Sequence, residues 1–194
     1  MNRPCGSNAF PFPRKLGKLL LKSRQAPVMA SMPFSVDIRD PTLPRELPVH
    51  LSLSTHIPNV LTRGLYWPPR RAAPPTTVLL FVCGFVLVKR WNRLVLTSAH
   101  CRNPGIPGWY IEFINTIRQE ASSSSLAFLA VGHIGHAYDL PQPEDIRSLS
   151  LQSQVEAARY TQNALLEAFP NASLILAGHS IGGYIAMEVS SFHT

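Results

Sequence analysis

Two short stretches hold residues that could do chemistry. In LILAGHSIGGYIAMEV, the five residues Gly178-His179-Ser180-Ile181-Gly182 place a serine between glycines two positions away on either side. A buried strand leads in and a helix leads out, so Ser180 is expected on a sharp strand-to-helix turn with its hydroxyl exposed. There the start of the helix favours developing negative charge, and the Ile181 amide can donate to an oxyanion. The small residues Gly178 and Gly182 allow the close backbone approach that such a turn needs. A serine hydroxyl is a poor nucleophile at neutral pH without a base and an orienting acid. His133, His136 and Asp139 precede the serine, whereas Glu188 and His193 follow it, within or just after the elbow helix. Neither set lies where an acid and a base would follow on later strand ends, and a turn-forming or pocket-lining role is expected for the first three. His179 is read as a residue that shapes the turn. The second stretch is LVLTSAHCRNPGIPGWY at 94–110, whose first half presents His100 at a strand end and whose second half is a Gly/Pro turn opening a helix.

The surrounding pattern supplies the elements. VHLSLST at 49–55 alternates as a strand, and the segment from Leu47 to Trp67 suits an antiparallel edge hairpin. TTVLLFV at 76–82, SLAFLAVG at 125–132 and ASLILAG at 172–178 are continuous apolar runs, the composition of strands buried on both faces. Between them, Tyr110, Phe113, Ile114 and Ile117 recur at helical spacing. Residues 153–169 do the same with Val155, Ala158, Leu165, Leu166 and Phe169, and a third helix is expected over 181–191. Strand and helix alternate three times, which predicts an α/β fold with a mostly parallel sheet and helices on both faces.

The chain has 194 residues and a formal charge of +7. Ten of its eighteen bases lie in two stretches without an acid, 1–36 and 85–102, and the eleven acids outnumber the bases that remain. The folded part therefore lacks the basic face that nucleic-acid binding requires, and no nucleic acid is expected as a partner. Cys5, Cys83 and Cys101 form neither an even framework nor a C-x-x-C pair, so no disulfide set, metal site or cofactor is implied, and a reducing compartment fits. The longest apolar run, VLLFVCGFVLV at 78–88, is too short to span a bilayer. Residues 1–45 read as a basic, Pro-rich tail that is disordered and solvated. Its first part also has the signature of a transit-type leader, and translation could instead begin at Met29 or Met32.

GHSIGGY after a buried strand, NPGIPGWYIEFINTI upstream and GHIGH after the middle strand together resemble the lipid-droplet-associated serine hydrolases of the α/β-hydrolase fold. In that family a buried strand ends in a P-G-N-P-G turn, and the helix that follows has an early tyrosine. Asn103, Pro104, Gly105 and Tyr110 match those positions, as Gly178 to Tyr184 match the elbow. The resemblance implies acyl transfer on lipid esters, with Ser180 as nucleophile and the amides of Ile181 and Asn103 as oxyanion donors. It also implies a lipid-droplet or membrane surface as partner. The chain is then expected at the lipid droplet or the cytosolic side of the endoplasmic reticulum, with the cytoplasm as the alternative. Joining Gly84 to Asn103 gives VLLFVCGNPGIPGWY, one proline-to-cysteine change, Cys83, from the family pattern. Residues 85–102 are accordingly read as an insertion. Residues 46–194 would be the N-terminal portion of the hydrolase domain, ending before its acid and base and so inactive by itself.

Two other readings stay open. CGFVLVKRWNRLVLTSAHC resembles the segment of trypsin-like serine proteases in which a disulfide, here Cys83 with Cys101, flanks a catalytic His100. No G-D-S-G-G-P motif accompanies it, and all that follows Asn103 has α/β periodicity. The other reading is a non-catalytic lipid-surface binder using the basic tail and an exposed apolar 78–88 run.

Overall fold

The computed structural model describes residues 34–84, 89–90, 93–94, 105–137 and 139–191. Strand β1, Val49–Ser54, and β2, Leu61–Trp67, form an antiparallel hairpin in which Val49 pairs with Tyr66 and Ser54 with Leu61. Asn59 takes φ 62° in the connecting turn, a left-handed conformation that asparagine tolerates better than most residues. β3, Thr77–Val82, is central, flanked in parallel by β6, Leu126–Val131, and β7, Ser173–Gly178. β2 pairs antiparallel with β6, so the order β1-β2-β6-β3-β7 makes a mixed sheet with two parallel and two antiparallel pairings. Between Gly84 and residue 105, Lys89–Arg90 (β4) and Arg93–Leu94 (β5) form a two-residue antiparallel pair. The expected insertion otherwise lies outside the described residues, together with His100 and Cys101.

Both faces of the sheet are covered, and β3 shows why its run is apolar throughout. Val78, Leu80 and Val82 face helices α2, Leu151–Ala168, and α3, Ile181–Ser190, in a core shared with Leu51, Leu53, Val155, Leu165 and Ile185. Phe81 and Cys83 face the other way, toward Tyr110 and Ile114 at the start of α1, Ile111–Glu120. Each fully buried side chain of this size contributes about 1.5–3 kcal/mol. The Ser150 hydroxyl accepts from the Ser153 amide and caps α2, which sets its start.

Four expectations need correction. The 78–88 run is not an exposed apolar surface, because Val78, Leu80, Phe81, Val82 and Cys83 are buried in the central strand; 85–88 lie outside the described residues. β7 is not buried on both faces. Among the described residues it is the last strand of the sheet, and Ile175 is 46% exposed, since there only β3 pairs with it. Phe113 and Leu166 continue their helical stripes in sequence but stay 52% and 38% exposed, at the margin of each helix's contact with the sheet; the Phe113 ring still reaches Phe81, at 5.8 Å between centroids. Lastly, packing begins within the expected tail: Phe34 bridges Leu53, and Ile38 joins the core at 2% exposure.

Candidate active site

β7 ends at Gly178 and α3 starts at Ile181, so only His179 and Ser180 make the bend. Ser180 caps the helix at φ 55°, ψ −126°, a backbone conformation rare for a residue with a side chain. Holding it costs about 1–3 kcal/mol, which the surrounding packing must supply. That packing is visible around the glycines. A Cβ on Gly178 would overlap the Gly182 carbonyl, and one on Gly182 would overlap the carbonyls of Val82 and Cys83, so the first turn of α3 rests directly on the end of β3. The His179 amide donates to the Val82 carbonyl at 3.2 Å, and the Gly182 and Gly183 amides donate back to the His179 and Ser180 carbonyls at 2.9 Å each. The Ser180 hydroxyl makes no capping bond to α3, which leaves it available. Ile181 is the first residue of the helix, and its amide is one of the donors that a helix start leaves without an intrahelical acceptor.

Tyr110 ties this elbow to the neighbouring strand end. The Gly84 amide donates to the Tyr110 hydroxyl at 3.0 Å, and that hydroxyl lies 3.1 Å from His179 Nδ1. With its oxygen accepting from Gly84, the phenol can donate its own proton to Nδ1. The contact links His179, at the elbow, to the end of β3. Periodicity marks Tyr110 only as an apolar stripe residue and the resemblance marks it as a family position; neither signals this pair of hydrogen-bond contacts.

His133 is the other polar tie. It is buried at 2% exposure, with Nε2 2.6 Å from the Cys83 carbonyl, so Nε2 donates. Burial, with the neighbouring His136 adding to it, pushes its pKa down to about 4. A neutral, engaged imidazole of this kind joins the ends of β6 and β3. His136, partly exposed, stacks edge-on against it at 5.5 Å between ring centroids. Asp139 pairs with Arg63. His133, His136, Asp139 and Arg63 line one cavity of about 460 Å³ beside the turn at 105–108, together with His50. Ser180 is not on its wall. The pocket-lining expectation for these residues thus matches where they sit. Burial drives the Cys83 thiol well above its ordinary range, so it is no nucleophile at neutral pH. Glu188 bonds Tyr184 on an exposed stretch of α3. Asn103, Pro104 and His193 lie outside the described residues.

A mixed five-stranded sheet with helices on both faces and a serine strained at a strand-to-helix elbow defines an α/β-hydrolase fold. The carboxyl esterase of Bacillus coagulans, solved with glycerol, superposes with a TM-score of 0.50 at 17% identity over 76% of this chain and 41% of that one. An alpha-beta serine hydrolase homologue from Coxiella burnetii aligns at 11% identity over 73% and 56% of the two chains, with a TM-score of 0.46. More particularly, residues 101–193 match the family described as lipid-droplet associated hydrolase, over the segment that holds the elbow. A curated relative, the lipid droplet-associated hydrolase of Dictyostelium discoideum, is 30% identical over 95 residues, 46% of this chain. The match covers 30% of that relative's length.

Proposed function

We propose that this chain carries the nucleophile half of a serine hydrolase that cleaves carboxylic esters of lipids at a lipid-droplet surface. The observation that carries the reading is the conformation of Ser180: a strained serine whose hydroxyl makes no capping bond, at the end of parallel strands β3 and β7 and at the N-terminus of α3. In the reaction, Ser180 Oγ attacks the ester carbonyl carbon and its proton passes to a base. The carbonyl oxygen becomes an oxyanion held by the Ile181 amide and the Asn103 amide. Collapse expels the alcohol and leaves an acyl-serine, which water cleaves to the carboxylic acid and free Ser180. The cavity beside 105–108 would receive part of the ester, since it is lined by Gly105 and Ile106 together with His133 and His136 at the end of β6. Lipid-droplet location rests on the family match and on the name of the Dictyostelium relative; the endoplasmic reticulum surface rests on the resemblance alone.

Serine hydrolases of this fold take their acid and base from positions after the nucleophile. In this chain Glu188 sits within α3, and the preceding His133 is buried and engaged. The 194 residues alone are therefore expected to acylate several orders of magnitude more slowly than a complete triad. An alkyl fluorophosphonate in excess should label this chain slowly and only at Ser180, and Ser180→Ala should abolish the adduct in intact-mass spectra. Labelling at another residue, or the same rate in the variant, would refute the assignment. The lipid-surface binder has lost one of its two supports, since residues 78–83 are interior.

A further inference from the structure

Beneath the sheet, at the end opposite the elbow, lies a second cavity of about 290 Å³. It is bounded by the segment before β1, the proline-rich loop between β2 and β3, and the C-terminal end of α2. β3 runs from this end to the elbow, and six residues of strand span roughly 20 Å, so the two sites are separate. Its wall is largely apolar, with Ile38, Phe169 and several prolines whose rings hold the loop rigid.

One group there has no partner. Tyr66 is a fully buried residue of this wall, and among the described residues its hydroxyl makes no hydrogen bond. A buried hydroxyl without a partner is costly, and such groups call for an explanation. The charges at the mouth narrow what could supply one. Arg39 is neutralised by Asp37 through two hydrogen bonds, at 2.9 and 3.1 Å. Arg45 spends its donors on the carbonyls of Pro41, Pro69 and Arg70, and Asp40 stands beside it on the wall as an offsetting charge. Arg71 lines the cavity and, among the described residues, its guanidinium makes no hydrogen bond or ion pair. One positive charge is left over, beside one buried hydroxyl and an apolar wall.

We infer that this cavity is a binding site for a small apolar monocarboxylate, with the carboxylate taken by Arg71 and Tyr66 and the hydrocarbon lying against Phe169 and the prolines. A carboxylate fits because it has two acceptor oxygens and a single charge to set against Arg71. The volume, at the low end for small-molecule sites, suits a short chain or a single ring. The inference does not rest on the role proposed for Ser180.

Titration of the full chain with octanoate, octanol and octyl phosphate, followed by calorimetry, tests it. Octanoate should bind saturably and at least about tenfold more tightly than either analogue, the step expected for a charge-assisted pair. Arg71→Gln should remove that preference. Tyr66→Phe should weaken octanoate several-fold while its thermal midpoint stays level or rises, since it deletes a hydroxyl that bonds to nothing in the free protein. Ser180→Ala should leave octanoate binding unchanged. Absence of saturable octanoate binding, equal affinity for octanol, tighter binding of octyl phosphate, or loss of binding in Ser180→Ala would each overturn the inference. So would a Tyr66→Phe variant with full affinity, which would reduce the cavity to a place for water.

Discussion

Replacing Ser180 by glycine should make this protein more stable while removing its proposed nucleophile. The elbow holds Ser180 at φ 55°, ψ −126°, where a Cβ is strained by about 1–3 kcal/mol. Glycine reaches that conformation freely, but it also widens the unfolded ensemble and returns about 0.5–1 kcal/mol of the gain. The net expectation is a stabilisation of about 0–2.5 kcal/mol, centred near 1 kcal/mol. For a domain of this size each kcal/mol moves the melting temperature by about 2–4 °C, so the rise should be a few degrees. Ser180→Ala is the control, because it deletes the same hydroxyl and keeps the Cβ in its strained place. Urea denaturation of the three proteins, with equal m-values, isolates the backbone term. A Ser180→Gly variant no more stable than Ser180→Ala would refute the argument, for it would mean that the bend stores no strain.

The remaining expectations concern the polar ties beneath the elbow. Tyr110→Phe removes the hydroxyl that accepts from Gly84 and reaches His179, so stability should fall by about 1–2 kcal/mol as two partners lose their bond, and fluorophosphonate labelling of Ser180 should slow further. An unchanged labelling rate in a destabilised variant would leave Tyr110 with a structural part only. His133 makes stability depend on pH in a definite direction. Its folded pKa, about 4, lies below the ordinary 6.5, so the unfolded chain takes up a proton that the folded one refuses. Stability is therefore full above pH 6.5, falls as pH drops, and loses about 2 kcal/mol between pH 7 and pH 5. His133→Gln should flatten that part of the profile in urea titrations, and an equally steep profile in the variant would exclude His133 as the cause.

The strands, the helices and the elbow were legible because each has a local cause. A continuous β-branched run makes β3, a serine caps α2, and glycines flank Ser180 where strand must meet helix within two residues. The chain alone therefore determined the α/β alternation and the turn that bears the proposed nucleophile. What it could not carry was anything set by residues far apart in sequence. Only the folded sheet decided that β7 would be an edge among the described residues, that Phe113 and Leu166 would stay partly exposed, and that Phe34 and Ile38 would leave the tail for the core. The Tyr110 link from Gly84 to His179, the burial of His133 against the Cys83 carbonyl, and the unpartnered hydroxyl of Tyr66 belong to the same class. Periodicity tells which face of an element is apolar, but a hydrogen bond between residues 69 positions apart exists only once the strands have been ordered side by side.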